Sequence, residues 1–223
     1  MNKISLKLGY WSALLCAATF IIWIISFAGI AIISPLYTWD GLSGYIDFIN
    51  SNNQFFQYLA KSFLVVFSVS FIVLLISLGE LIIPERKVLA KIGIVFGIMF
   101  SLLSAMHYFG QISSVRWALD KEQLTGIEHF LQANPTSFLA SMNMLGWTLF
   151  LGLSSLFMAF ALEKTRKFKL MKIALLVNGI SCLLAGIGYI TQTDIITFVF
   201  INLFMGAALL VFTITAARLF KRN

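Results

Sequence analysis

Charged residues fall in a few clusters along this chain, and long apolar stretches run between them. Six runs are nearly free of charge: 10–34, 62–83, 92–115, 137–161, 171–190 and 195–217. About 20 apolar residues in helical form cross the hydrocarbon core of a bilayer, so each run predicts a membrane-spanning helix. The segments between them are too short to fold separately. The pattern predicts one all-α membrane domain over 1–223, a six-helix bundle. Pro35 and Pro84 follow the first and second runs, and Pro135 precedes the fourth. None interrupts a span, so the discontinuous helices that build many transporter ion sites are not indicated.

Composition agrees with the pattern. The chain is 60% hydrophobic and 11% charged, against roughly 25% charged in soluble domains. The basic start of "MNKISLKLGYWSALLCAATF" resembles a signal peptide. Its apolar run, however, continues through "IIWIISFAGIAII", well past the roughly 7–15 residues of a signal core. A retained first helix is expected.

Lys and Arg favour cytoplasmic loops. Thirteen of the 16 basic residues lie before the first span, between the second and third, between the fourth and fifth, or after the sixth. The other face keeps Lys61, Arg116 and Lys121, together with Asp40, Asp47, Asp120, Glu122, Glu128 and Asp194. Both termini are expected in the cytoplasm. The net charge of +7 then follows from topology, with membrane lipids as its counter-charge, and calls for no nucleic acid. Cys16 and Cys182 fall inside spans and read as small packing residues. There is no CxxC and no His/Cys cluster of zinc-site spacing, so no metal and no cofactor is expected.

Two outer segments resemble each other. "LSGYIDFINSNNQFFQYLA" (42–60) and "LTGIEHFLQANPTSFLA" (124–140) share Leu-[Ser/Thr]-Gly, Ile-[Asp/Glu], an Asn, and an aromatic followed by Leu-Ala. An 81-residue shift also aligns the third span with the fifth. The reading is a duplicated helix–outer loop–helix hairpin, each loop carrying a short interfacial helix near Tyr45–Ile49 or Ile127–Leu131. The third span has Gly93, Gly97, Ser101 and Ala105 at four-residue spacing. The fifth has Ala174, Asn178, Cys182 and Gly186 at matching positions. Small residues every fourth place let helix backbones approach, which matters where lipid supplies no hydrophobic drive.

Six spans, cytoplasmic ends and an outer "Asn…Phe-Leu-Ala" segment (Asn134, Phe138, Leu139, Ala140) leading into an even-numbered helix resemble the small multi-pass bacterial membrane proteins grouped as domains of unknown function. The resemblance implies a bacterial inner membrane and brings no known active site.

Candidate chemistry is sparse. No Asp, Glu, Lys or Arg falls deep in a predicted span, and such charges are the usual marks of coupled transport. The neutral polar residues are His107, Gln111, Asn143, Asn178 and Asn202. His107 lies about 13 Å below the outer end of its run, Gln111 about 7 Å, and Asn143 and Asn202 about 10 Å at 1.5 Å per residue. His107 and Gln111 share a face one turn apart, opposite the small-residue stripe, which suggests a central position for the third span. They are expected to line an outward cavity with Asn143, Asn202 and the aromatic Trp147. Arg116 closes the motif "MHYFGQISSVRW", either as an interface anchor or as an anion contact. The functional expectation is a non-catalytic protein that binds a lipid-like or small apolar ligand, or associates with a membrane partner. A lipid-modifying enzyme would need Glu128 or Asp47 beside His107. A carrier would need an open path past the third span. Oligomeric state is not encoded in any motif.

Overall fold

The computed structural model describes residues 3–33 and 37–222; Pro35 lies outside them. Among the described residues, six helices are long and apolar enough to cross a membrane, and there is no strand. The chain is an all-α, multi-pass membrane protein. Its spans are α1 (Lys3–Ile33), α3 (Phe55–Gly79), α4 (Pro84–Asp120), α5 (Phe138–Ala161), α6 (Lys169–Ile190) and α7 (Asp194–Arg222). The short α2 (Leu42–Ser51) lies between the first two.

Consecutive spans pack side by side, and α7 returns to α1, which closes a ring in chain order. Both termini meet at one end, where the Gly9 backbone receives the Phe220 ring. We call this the terminal end, and the opposite one the distal end. Inside the ring lies an aromatic core. Phe71 meets Phe100 at 5.5 Å and Phe212 at 6.4 Å between ring centroids, while Trp147 meets Phe100 at 4.8 Å and Phe67 at 6.3 Å. These rings come from α3, α4, α5 and α7 and fill the bundle's middle. Side chains such as Val69, Val95, Leu102, Phe109 and Ile180 point outward and are exposed, as a lipid-facing surface requires.

Backbone contact at small residues sets the helix spacing. A Cβ on Gly179 of α6 would lie 2.9 Å from the Gly152 carbonyl oxygen of α5. A Cβ on Gly97 would strike Leu75 of α3 and lie 3.0 Å from the Ser154 hydroxyl. That hydroxyl donates to the Gly93 carbonyl at 2.7 Å. Helix α4 is therefore not central, as its two buried stripes suggested. It sits in the ring between α3 and α5, with its third face exposed. Polar groups replace the missing hydrophobic drive at several crossings. The Asn178 oxygen accepts from Ser155 Oγ at 2.8 Å and its amide donates to the Met205 carbonyl at 3.2 Å. Many of the remaining hydroxyls, including Thr19, Ser26, Ser70 and Thr148, bond to the carbonyl four residues earlier, which satisfies them where water is excluded. At the terminal end, Arg86 Nη1 and Lys172 Nζ each donate to the Leu162 carbonyl at 2.9 Å, two cations on the end of α5 where the helix dipole is negative.

Two features depart from the sequence expectation. First, α3 starts at Phe55, seven residues before the apolar run, because Gln54, Gln57 and Tyr58 continue the helix beyond its apolar part. Lys61 consequently lies within the span. Second, three spans contain a π-type turn: Gln111–Val115 in α4, Gly146–Phe150 in α5 and Val199–Met205 in α7. No proline marks them. The outer segments also differ from each other: 42–51 forms α2, while Ile127–His129 makes a single 3₁₀ turn. Gly44 sits inside α2, where it leaves room for the Asp40 carboxylate, whereas Gly126 takes the left-handed conformation at φ 74°.

Candidate functional site

The distal half of the ring holds a partly open cavity of about 420 Å³. Its deep end is formed by Phe20, Trp147 and Met205, on the edge of the aromatic core. Helix α1 contributes the stripe Phe20, Trp23, Phe27 and Ile30, and α7 contributes Ile201 and Asn202. Near the distal end the walls are Tyr45, Phe48 and Gln54 from the first loop region, Gln57 and Lys61 from α3, and Gln132 and Ala133 from the second loop. The two loops touch through a small apolar cluster of Val115, Ile127 and Leu131, against which Trp39, Leu42 and Tyr45 pack. Burial there pushes the Tyr45 hydroxyl up to about 12, with Tyr58 and Tyr37 adding to the effect.

Two of the three π-type turns supply lining residues: Trp147 from α5, and Ile201, Asn202 and Met205 from α7. A π turn frees carbonyls from the regular ladder and is frequent at functional sites. Here Asn178 supplies a donor to one of them, at Met205.

The expected site residues divide into three groups. Asn143, Trp147 and Asn202 line the cavity. His107 and Gln111 are both buried but are not among the cavity's lining residues; His107 ties α4 to the first turn of α5, and Gln111 ties it to the second loop. His107 Nδ1 lies 3.2 Å from the Leu139 carbonyl. Because a carbonyl can only accept, Nδ1 carries the proton and Nε2 is left as an acceptor without a hydrogen-bond partner. The ring also lies within electrostatic range of Lys61 and faces Gln132. Gln111 Nε2 donates to the Phe130 carbonyl. Ser137 and Asn134 hold that loop's own shape by donating to the His129 and Glu128 carbonyls. Arg116 does not reach the cavity. It pairs with Asp120 at 3.6 Å and lies 5.1 Å from the centre of the Tyr58 ring. The small residues of α4 and α6 stand at helix crossings, among them Gly186 against Thr148 and Cys182 against Gly152. Ser101 and Ala174 are buried, and Ala105 is half-buried.

The sequence reading missed Lys61, Tyr108 and Gln132. A signal for Lys61 existed: Gln54, Gln57 and Lys61 are spaced three and four apart and share one helix face. Tyr108 was hidden as one aromatic among many. Its hydroxyl accepts from the Asn143 amide at 3.4 Å, and its ring packs edge-on against His107 at 4.9 Å.

The wall is unusual in its unmet hydrogen bonding. Asn143 Oδ1 is buried without a partner, and Trp147 Nε1 has only the Tyr108 hydroxyl beside it; both residues are 6% exposed. Burying such a group without a partner costs about 1–3 kcal/mol. Among the described residues no hydrogen bond or ion pair joins His107 to Asp47 or Glu128, and no three His, Cys, Asp or Glu side chains converge.

Compared with models of known families, with curated proteins and with solved structures, the chain matches none.

Proposed function

We propose that the protein is a non-catalytic binder of a lipid-like, amphipathic molecule held in the distal cavity. The observation that carries this is the cavity itself: about 420 Å³, apolar in most of its wall, with the buried Asn143 oxygen lacking a partner inside the protein. Small-molecule sites have this form, a mainly apolar hollow of roughly 300–1,000 Å³ with a few convergent polar groups. A bound molecule would supply the missing partner and cover the aromatic stripe of α1. The aromatic core ends the cavity midway, which supports binding over conduction. His107 donates to a backbone carbonyl instead of meeting an acid, which supports binding over general-base chemistry.

The setting of the site is part of the same reading. The concentration of Lys and Arg at the terminal end supports cytoplasmic termini. The distal cavity then faces outward, in the bacterial inner membrane implied by the resemblance. Membrane lipids are the nearest source of ligand.

The test is gentle purification of the full chain followed by native mass spectrometry, with Ala133→Trp as a variant that fills the cavity from its loop wall. A small molecule should accompany the wild type and be absent from the variant. Equal amounts on both proteins, or none on either across several mild detergents, would overturn the reading.

A further inference from the structure

We infer that the molecule in the distal cavity carries an oxyanion, a carboxylate or phosphate, and that Lys61 is its anchor. This rests on the cavity being a binding site. Lys61 is the one charged residue among the lining residues, and no carboxylate lines the cavity. Among the described residues, the ion pair that forms is Arg116–Asp120, and Lys61 has no acid partner. A cation within a membrane span ordinarily pairs with an opposite charge or marks a ligand path. Here the protein supplies no partner.

The neighbouring wall has the matching polarity. Trp147 Nε1 can only donate, and it stands beside the Tyr108 hydroxyl, which leaves that hydroxyl's own hydrogen for another acceptor. The Asn143 amide has one end on the Tyr108 hydroxyl and the other end free. Rotating that amide by half a turn lets the Tyr108 hydroxyl donate to Oδ1 and turns the amide hydrogens to the cavity. The wall then offers one cation, from Lys61, and the amide hydrogens of Asn143. An oxyanion satisfies all of them, while an alcohol or ester satisfies the donors and leaves the cation unpaired. The aromatic stripe Phe20, Trp23 and Phe27 takes the apolar body. The commitment is therefore to an amphiphile with an anionic head, and two sources share that chemistry: a free fatty acid and a phosphate-headed lipid.

The test uses bromine quenching of tryptophan fluorescence, since Trp23 and Trp147 both line the cavity. The purified full chain in nonionic micelles is titrated at neutral pH, where the lysine is charged, with 9,10-dibromostearate, its methyl ester and a dibrominated phosphatidic acid. At least one anionic probe should bind about tenfold or more tighter than the ester, the scale of effect of one desolvated charge contact. Lys61→Gln should remove that preference and leave ester binding within about twofold; Lys61→Arg, which keeps the charge, should retain it. Preference for the fatty acid or for the phosphatidic acid names the source. Equal binding of ester and both anions to the wild type would overturn the oxyanion while leaving the cavity as a neutral-lipid site. Saturable quenching by none of the probes would overturn both readings. Full displacement of the anionic probe by millimolar inorganic phosphate would show a free-anion site and overturn the amphiphile.

Discussion

The backbone approach of α5 and α6 gives the most exacting prediction. At Gly179→Ala the new methyl would stand 2.9 Å from the Gly152 carbonyl oxygen and 2.6 Å from Leu156 Cγ. Leucine can rotate, but a helical carbonyl cannot. Ordinary contact begins at 3.4 Å, so α5 and α6 must separate by about half an ångström. A gap of that size already forfeits a quarter or more of each dispersion contact along the seam. It also stretches the Ser155–Asn178 bond beyond its present 2.8 Å. Forced overpacking of this kind costs about 1–3 kcal/mol. At about 2–4 °C per kcal/mol for a chain of this length, the melting temperature should fall by about 2–12 °C. Thermal unfolding in a single detergent, read by retained monodisperse protein, measures it. The control is Gly110→Ala, whose methyl would meet Leu139 at 3.7 Å and should leave melting unchanged within about 2 °C. Equal melting of Gly179→Ala and wild type would refute the claim that backbone approach at this crossing holds the ring together.

Three further outcomes follow from the geometry. His107→Leu loses the bond to the Leu139 carbonyl and should cost about 1 kcal/mol while dibrominated-lipid quenching stays within about threefold; a tenfold loss of binding would put His107 on the ligand. The Tyr45 hydroxyl stays protonated up to about 12 when folded, whereas an unfolded tyrosine ionises near 10. Its stabilising contribution is therefore complete below pH 10 and lost as pH rises toward 12. Tyr45→Phe should flatten the melting curve across that window, and an unchanged slope would count against the burial of this ring. Cysteines placed at Ser51 and Gln132 should react with an impermeant reagent in intact cells, and one at Lys167 after permeabilisation alone; the reverse pattern would invert the orientation.

The six spans were legible because an apolar run of this length has few other uses. Their ends were less so. The extension of α3 to Phe55 depends on Gln54, Gln57 and Tyr58, polar residues that read as loop until a second element packs over them. That misplaced boundary hid Lys61, whose position only the folded helix reveals. The π turns were illegible for a related reason. No proline forces them; what marks them is the contact each makes in space, such as the Asn178 amide on the Met205 carbonyl. Asn143, Trp147 and Asn202 were found from depth and polarity, since few polar residues stand in that half of the spans. His107 and Gln111 were drawn to the same cavity by the same signal. Sequence depth cannot tell a side chain facing a hollow from one facing a folded loop backbone at the same height.

The central claim is that the distal cavity is occupied in the membrane. An electron cryo-microscopy structure of the full chain in nanodiscs made from its native membrane lipids tests it most directly. The account predicts elongated non-protein density along Phe20, Trp23 and Phe27, with its polar end against Lys61 and Asn143. A cavity that has collapsed, or that holds only separate water-sized peaks with Asn143 satisfied by protein groups, would contradict it.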